Sequence, residues 1–309
     1  MAVIRDRLRS LIGRPWRDVT LPSDAVGIPT MLSKMERRLL YSLARDYAGG
    51  DAAIVDAGAF LGGSTAALLA GVRDRPEPRS RPPVESYDLF QVEEYMVPKF
   101  FADDPTVRLG DSFRSRFDAH VARFHVPHVV HAGDITKIGW SGGSIDVLFL
   151  DVLKSWEIND AVLRDFFPSL VPGRSVVVHQ DYGWGDNPWI HITVELMRDS
   201  LLLIDWMEWG SHVFFVEREL PADVLARGVG GLDLDTKLEL VEQAAAHAEG
   251  WVLGMLEVSR AVLVGERDGA DAALAELASI RERHSQRGNV LTCVDEVRRA
   301  IAGNVAALR

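Results

Sequence analysis

The stretch IVDAGAFLGGST, residues 54–65, decides the fold of this chain. It opens as a short apolar strand, breaks into glycines and continues as an Ala- and Leu-rich helix, which predicts a ligand-binding turn between a strand and a helix. Gly58 and Gly62 let the backbone pass close to a ligand where a Cβ atom would collide. Ser64 or Thr65 is expected to cap the helix.

The residues of this turn limit which kinds of ligand it can bind. A dinucleotide-binding turn has glycine at its first, third and sixth positions, and Phe60 stands third when Gly58 is counted as first. A P-loop needs Lys directly after its glycines, where this chain has Ser64. Asp56, an acid at the strand end, suits S-adenosyl-L-methionine (SAM), because this cofactor carries an ammonium and a sulfonium and no phosphate. The alternative is a structural turn, in which Asp56 only caps the helix.

Composition limits the classes of protein to which the chain can belong. Its 309 residues are 47% hydrophobic and 26% charged, as in a globular enzyme with one domain and an extension. A net charge of −11 predicts no nucleic-acid partner, because binding phosphates requires a basic surface. No apolar run reaches the roughly 18 residues of a membrane span. Cys293 is the single cysteine, which excludes an internal disulfide and favours a cytoplasmic location.

The segment 1–16 combines four arginines with apolar residues at helical spacing, Ile4, Leu8, Leu11 and Ile12. It lacks the continuous apolar core and cleavage site of a signal peptide. Such a helix either packs on the body of the protein or rests on a membrane surface.

Helical and strand patterns alternate through the middle of the chain. They predict a helix over 33–48 and strands over 84–89, 129–131, 145–151 and 175–178. The strand over 145–151 is almost wholly apolar, as expected when both of its faces are covered. The alternation predicts an α/β fold with a doubly wound, Rossmann-like sheet.

Acidic residues follow the second and third strands. Asp88 stands where doubly wound nucleotide folds place a carboxylate that accepts hydrogen bonds from ribose hydroxyls. Asp134 lies in a Gly-Asp turn, where we expect it to accept a hydrogen bond from an adenine amino group. The alternatives are a surface aspartate at position 88 and a plain turn at position 134.

The fourth and fifth strands end in polar side chains that are candidates for catalysis, ion binding or hydrogen bonding to substrate. Asp151 ends one strand, and the next strand delivers His179, Gln180 and Asp181. The two strand ends form either a site for a hard divalent ion or a set of hydrogen bonds to substrate. His179 is the first candidate for a general base, because its unperturbed pKa is near neutral. The other candidates are Asp181, His191 and Lys154.

The core closes with two strand-like runs, 201–207 and 212–217, which a tight connection makes antiparallel neighbours. A doubly wound sheet that ends in such a hairpin, with an acid after its first strand and a Leu-Val-Pro-Gly turn before its fifth, resembles the class I SAM-dependent methyltransferases. The resemblance covers residues 52–217.

Within that superfamily, the chain is similar to the branch that includes macrocin-type and cephalosporin-pathway O-methyltransferases. The similarity rests on the motif D-x-G-x-x-x-G-G-S that starts at Asp56, on the Asp151 strand end and on the segment 179–182. Many members of that branch modify sugars or natural products, and several use magnesium. The branch usually has a second acid where this chain has Gln180, and its macrocin-like members have a catalytic aspartate where this chain has Leu153.

The turn, the strand ends and the resemblance together assign the candidate site. The residues expected to bind SAM are Asp56, Gly58, Gly62, Ser64, Asp88, Asp134 and Asp151. The expected ligands of Mg²⁺, if the chain uses it, are Asp151, Gln180 and Asp181. The expected catalytic residues are His179 and Asp181.

Three parts are expected along the chain: N-terminal helices in 1–50, a SAM-binding core in 51–219 with an insertion at about 90–128, and a helical region in 220–309. The insertion either builds the substrate side of the site or serves only for packing within the protein. In the last part, helices are predicted over 235–264, over 268–283 and near 294–308. They pack on the core, close the site as a lid or join two copies in a homo-oligomer.

The sequence therefore predicts a SAM-dependent O-methyltransferase that acts on a small molecule, such as a sugar or natural-product hydroxyl. One alternative is a SAM-fold protein that has lost catalysis and serves as a binding or scaffold partner, which the residues Gln180 and Leu153 favour. The other alternative is a different α/β enzyme.

Overall fold

A seven-stranded sheet forms the centre of this computed structural model, which describes residues 2–49, 51–76, 84–207 and 210–303. Its strands are β1 (Ala53–Ala57), β2 (Val84–Asp88), β3 (His128–Ala132), β4 (Ile145–Leu150), β5 (Val176–His179), β6 (Leu201–Trp206) and β7 (His212–Val216). They lie in the order β3-β2-β1-β4-β5-β7-β6. The first five pair in parallel, whereas β7 is antiparallel to β5 and to β6. The predicted Rossmann-like α/β sheet with a terminal hairpin is confirmed; residues 208 and 209 of its connection lie outside the described residues.

The described part of the chain contains fourteen α-helices. They are α1 (Ala2–Ile12), α2 (Ser23–Val26), α3 (Lys34–Ser42), α4 (Gly63–Arg73), α5 (Met96–Phe100), α6 (Arg114–Val121), α7 (Ile135–Ile138), α8 (Trp156–Asp165), α9 (Pro188–Leu196), α10 (Ala222–Arg227), α11 (Leu234–Ala246), α12 (Gly250–Asp268), α13 (Ala270–Arg283) and α14 (Gly288–Gly303). None of these helices has both the length and the apolar character needed to cross a membrane.

The sheet is covered on both faces, which explains its apolar strands. Side chains of α1, α3, α4 and α6 pack on one face, and those of α7, α8, α9, α11 and α12 pack on the other. All six residues of β4 are buried, including Val147 on the first face and Leu148 on the second. The division of the chain at residues 50 and 219 stays a prediction.

A buried aspartate fixes the N-terminal segment to the terminal hairpin. Asp205 of β6 accepts a hydrogen bond from the indole nitrogen of Trp16 at 2.9 Å and pairs with Arg17 at 2.8 Å and with Arg14 at 3.3 Å. Trp16 is fully buried, and Leu11 of α1 belongs to the same apolar core as the sheet. Of the two alternatives for this segment, the structure therefore shows packing on the body of the protein. The side chains of residues 1–6 lie outside the described part.

The helix predictions need two corrections. The region 33–48 is α3 followed by a π-helical turn, Leu43–Tyr47. The region 235–264 holds two helices, α11 and α12, because the chain breaks before Gly250, whose φ of +68° lies in the left-handed region. The short α10 was not predicted, and residues 304–308 of the last predicted helix lie outside the described residues.

We expect Asp205→Ala to lower the free energy of unfolding by about 2 kcal/mol, because it leaves the buried indole N–H of Trp16 and two arginines without their partner. Urea denaturation measures the change. Asp235→Ala is the matched control: Asp235 pairs with Arg267, its side chain is 82% exposed, and we expect a loss below about 0.5 kcal/mol. Equal effects of the two substitutions would contradict the role of Asp205.

Candidate active site

The turn between β1 and α4 is shaped by contacts within the protein. Gly58 and Gly62 have φ values of +100° and +95°, in the region that favours glycine. A Cβ atom at Gly58 would collide with the carbonyl group of Asp151, and one at Gly62 would press on Val121 of α6 at 3.1 Å. Gly58 is thus needed for the close approach of the ends of β1 and β4, and Gly62 for packing under α6.

Asp56 lies beneath the turn and does not line a cleft. Its side chain is fully buried, and its Oδ2 accepts hydrogen bonds from Ser64 at 3.0 Å and from Thr65 at 2.5 Å, in the first turn of α4. Burial raises the pKa of Asp56 to about 6. This placement corrects the expectation that Asp56 holds the cofactor directly, because Asp56 binds the hydroxyl groups of Ser64 and Thr65 instead. A contact between Ser64 and the cofactor stays a prediction.

An open cleft of about 500 Å³ lies at the carboxyl ends of β1, β2 and β4, and Gly58, Asp88 and Asp151 line it together. The carboxylate of Asp88 accepts hydrogen bonds from the backbone N–H groups of Phe60 at 2.8 Å and of Phe90 at 2.6 Å. These bonds fix the carboxylate at the wall of the cleft. Burial raises the pKa of Asp88.

Phe60 connects the turn to the insertion. Its φ of +47° is unusual for a residue with a side chain. The N–H bond to Asp88 fixes its backbone, and its ring packs edge-on against Phe100 at 4.8 Å and Phe113 at 5.6 Å. The insertion therefore packs through its phenylalanines, and it also contributes Tyr95 to the cleft.

Apolar side chains from loops complete the cleft. Exposed large apolar residues that line it are Met31, Leu89, Tyr95 and Leu109. Tyr95 and Leu109 lie in the insertion expected at about 90–128, one alternative for the substrate side, but the sequence did not single out Leu109 or Met31. These two lie in irregular segments without an apolar period, so no pattern in the sequence marks them.

Asp151, Lys154, Gln180 and Asp181 form one polar cluster at the ends of β4 and β5. The ammonium of Lys154 pairs with Asp151 at 3.3 Å and with Asp181. With its amide nitrogen turned toward the acids, Gln180 donates to Asp181 at 2.6 Å and to Asp151 at 3.2 Å. Burial raises the pKa of Asp151 to about 8, although the Lys154 charge opposes this shift. Burial lowers the pKa of Lys154, but the two carboxylates outweigh it and hold that pKa above its usual value.

The cluster does not fit a hard divalent ion. Lys154 places its ammonium between the two carboxylates, where Mg²⁺ was one of the two alternatives from the sequence, and Gln180 presents N–H groups to them. Within the described residues, no group of three or more His, Cys, Asp or Glu side chains is arranged to hold a metal ion. A magnesium site would require Lys154 to leave both acids.

His179 lies in the core, which corrects its choice as general base. It shares the orientation of Val177, two residues earlier in β5, so its ring points to the face that α8 and α9 cover. There it packs between Phe167 and Phe214, at 6.3 and 6.0 Å, and is 1% exposed. Burial lowers the pKa of His179 to about 3. The alternation of side-chain directions along β5 could already have predicted from the sequence that His179 points into the core.

Two further candidates are engaged outside the cleft. Both ring nitrogens of His191 have hydrogen-bond partners. Nδ1 lies 2.7 Å from the Ser259 hydroxyl, and Nε2 lies 2.8 Å from the Tyr182 carbonyl oxygen. Asp134 caps α7 by accepting from the Thr136 N–H at 3.0 Å. Asp134 is absent from the described lining of the cleft.

Comparison with known proteins gives a distant structural match. No protein-family model matches the chain, and no curated protein matches it. The solved structures that match include the crystal structure of CalS11, a calicheamicin methyltransferase, at 16% identity and a TM-score of 0.39. They also include the apo structure of CalS11, a TDP-rhamnose 3'-O-methyltransferase of calicheamicin biosynthesis, at 17% identity and a TM-score of 0.38. The matches cover 68% of this chain and 91% and 93% of those chains. A shared reaction does not follow from similarity at this level.

Proposed function

We propose that the chain binds SAM in the cleft at the ends of β1, β2 and β4 and transfers its methyl group to a hydroxyl of a small molecule, such as a sugar or natural product. The placement of Gly58, Asp88 and Asp151 along one cleft carries this proposal. Asp88 has the position and the fixed carboxylate that ribose hydroxyls require. Acidic walls suit a cofactor that is cationic and has no phosphate.

The apolar loop residues of the cleft support binding of a small acceptor. Met31, Leu89, Tyr95 and Leu109 are exposed around the same opening as Asp151 and therefore offer apolar surface to a ligand. An acceptor that covers them would keep water from the reactive methyl group. The cytoplasmic location, the lack of a nucleic-acid partner and a homo-oligomer formed by the C-terminal helices stay predictions.

Asp151 takes the place of His179 as the proposed proton acceptor. During transfer, the bond between methyl carbon and sulfur breaks as the acceptor oxygen attacks, and the hydroxyl proton passes to a carboxylate. Asp151 lines the cleft, and burial raises its pKa, which makes it a stronger base once ionised. Asp181 would then act by holding Lys154 in place, and no metal ion is needed.

A second candidate function is binding of SAM without catalysis. Leu153, at the position of the catalytic aspartate in the macrocin-like enzymes, is 2% exposed and packs in the core. Formation of S-adenosylhomocysteine from SAM in the presence of hydroxylated acceptors distinguishes an enzyme from such a binding protein.

We expect SAM and S-adenosylhomocysteine to bind with micromolar affinity in calorimetric titrations. Asp88→Asn removes a charged acceptor for the ribose, and Leu89→Arg adds a positive charge at a cleft position that is 55% exposed. Each should weaken SAM binding about tenfold or more.

Ile12→Arg is the matched control, because Ile12 is 60% exposed and does not line the cleft; it should leave the affinity unchanged. Absence of binding to the unmodified protein would refute the SAM proposal. Binding that neither cleft substitution weakens would place the cofactor elsewhere.

We also expect Lys154→Ala to create a site for a divalent ion, because it leaves the carboxylates of Asp151 and Asp181 without their cation. Electron paramagnetic resonance of added Mn²⁺ should show binding at least tenfold tighter than in the unmodified protein, and adding Asp181→Asn should remove it again. Lys137→Ala is the control, since Lys137 pairs with Asp134 on the surface. Mn²⁺ binding to the unmodified protein that Asp181→Asn abolishes would show that the acids hold a metal despite Lys154.

A further inference from the structure

Glu36 is a buried acid near the start of α3 that takes no part in the proposed transfer step. Its side chain is 3% exposed. Its Oε2 accepts a hydrogen bond from the N–H of Ser33 at 2.7 Å, and its own N–H donates to the Ser33 hydroxyl at 3.2 Å. These two bonds form a capping box, which fixes the start of α3 to the end of the preceding loop.

The other oxygen of Glu36 binds a segment that is distant in the chain. Its Oε1 accepts hydrogen bonds from the N–H of Ser211 at 3.2 Å and from the Ser211 hydroxyl at 2.9 Å. Ser211 is fully buried and directly precedes β7. A Cβ atom at Gly210 would collide with Oε1 of Glu36, so Gly210 packs closely against this oxygen. One buried carboxylate therefore joins the start of α3 to the terminal hairpin.

The loop that ends at this carboxylate lies against the turn of the candidate cleft. The loop comprises residues 27–33 and joins α2 to α3. A Cβ atom at Gly63, the first residue of α4, would collide with the side chain of Thr30. The next residue, Met31, lines the cleft and is 45% exposed. The place of Met31 in the cleft therefore depends on an irregular segment whose last residue is bound by Glu36.

The hydrogen bonds of Glu36 add direction to the apolar contacts of this loop. Ile28 and Leu32 are buried in the core, but burial of apolar surface is not directional. Hydrogen bonds require defined distances and angles, and those to a carboxylate are stronger than those between neutral groups. Loss of the carboxylate would leave the buried N–H and hydroxyl of Ser211 without their acceptor. We therefore expect the loop 27–33 to shift when the Glu36 side chain is removed.

We propose that Glu36 is a positioning residue of the SAM cleft, which holds Met31 beside the cofactor turn by binding the loop 27–33 and the terminal hairpin at once. Glu36 is absent from the described lining of the cleft, so it acts through the loop and not by contact with the cofactor. A cleft that is already formed before the cofactor arrives binds it more tightly. This proposal rests on the proposed SAM site.

Calorimetric titration with S-adenosylhomocysteine tests this role. Glu36→Ala should weaken binding about tenfold, and Glu36→Gln about threefold, because the amide oxygen can accept from only one of the two partner segments. Asp160→Ala is the matched control. Asp160 also binds two backbone N–H groups, those of Val229 at 2.8 Å and Gly230 at 2.9 Å, and these three residues are absent from the described lining of the cleft. Asp160→Ala should lower stability and leave the affinity unchanged.

Nuclear magnetic resonance without ligand tests the position of the loop itself. In protein with isotope-labelled methionine methyl groups, the Met31 signal is identified by its loss in Met31→Leu. This signal should shift in Glu36→Ala and stay in place in Asp160→Ala. An unmoved Met31 signal in Glu36→Ala, or an equal loss of affinity in Glu36→Ala and Asp160→Ala, would overturn the proposal.

Glu36→Gln decides by the same two criteria if Glu36→Ala does not fold. If the unmodified protein does not bind S-adenosylhomocysteine, the SAM proposal fails. The Met31 signal then still shows whether Glu36 holds the loop, so the two failures are distinguishable.

Discussion

The close approach of Gly58 to the backbone of Asp151 is the constraint on which the cleft depends. It brings the ends of β1 and β4 together, and the N–H of Asp151 donates to the carbonyl of Ala57 at 2.7 Å. The turn that follows presents the N–H of Phe60 to Asp88, which fixes the third strand end, that of β2. Any side chain at position 58 would separate these strand ends, so this glycine serves the protein's own packing before it serves a ligand.

Charge in the cleft is organised around Lys154. Two carboxylates this close together repel each other, and a cation between them offsets that repulsion. Lys154 supplies that cation from the loop after β4, and Gln180 adds hydrogen bonds where a third acid would add charge. Lys154 and Gln180 are therefore two parts of one arrangement, in which an ammonium group and amide N–H groups offset the charge of the two acids.

The doubly wound sheet and its terminal hairpin were predictable because each rests on local patterns: apolar runs, glycine turns and one tight connection. The meeting of Asp151 with Gln180 and Asp181 followed from the same topology. What the patterns did not give is the direction of each side chain. His179 follows the alternation of β5 into the core, Asp56 turns beneath α4, and Asp134 caps α7. Strand-end residues were assumed to face the cleft, whereas the pleat decides which of them do.

The C-terminal helices show why an accessory region is hard to interpret from sequence. Their apolar positions predicted packing but not the partner, since helical spacing describes one face and not what covers it. In the structure, α12 brings Trp251 against His212 of β7, two residues far apart in the chain. Such a contact joins segments that are distant in the chain, so the period of apolar residues along one helix cannot predict it.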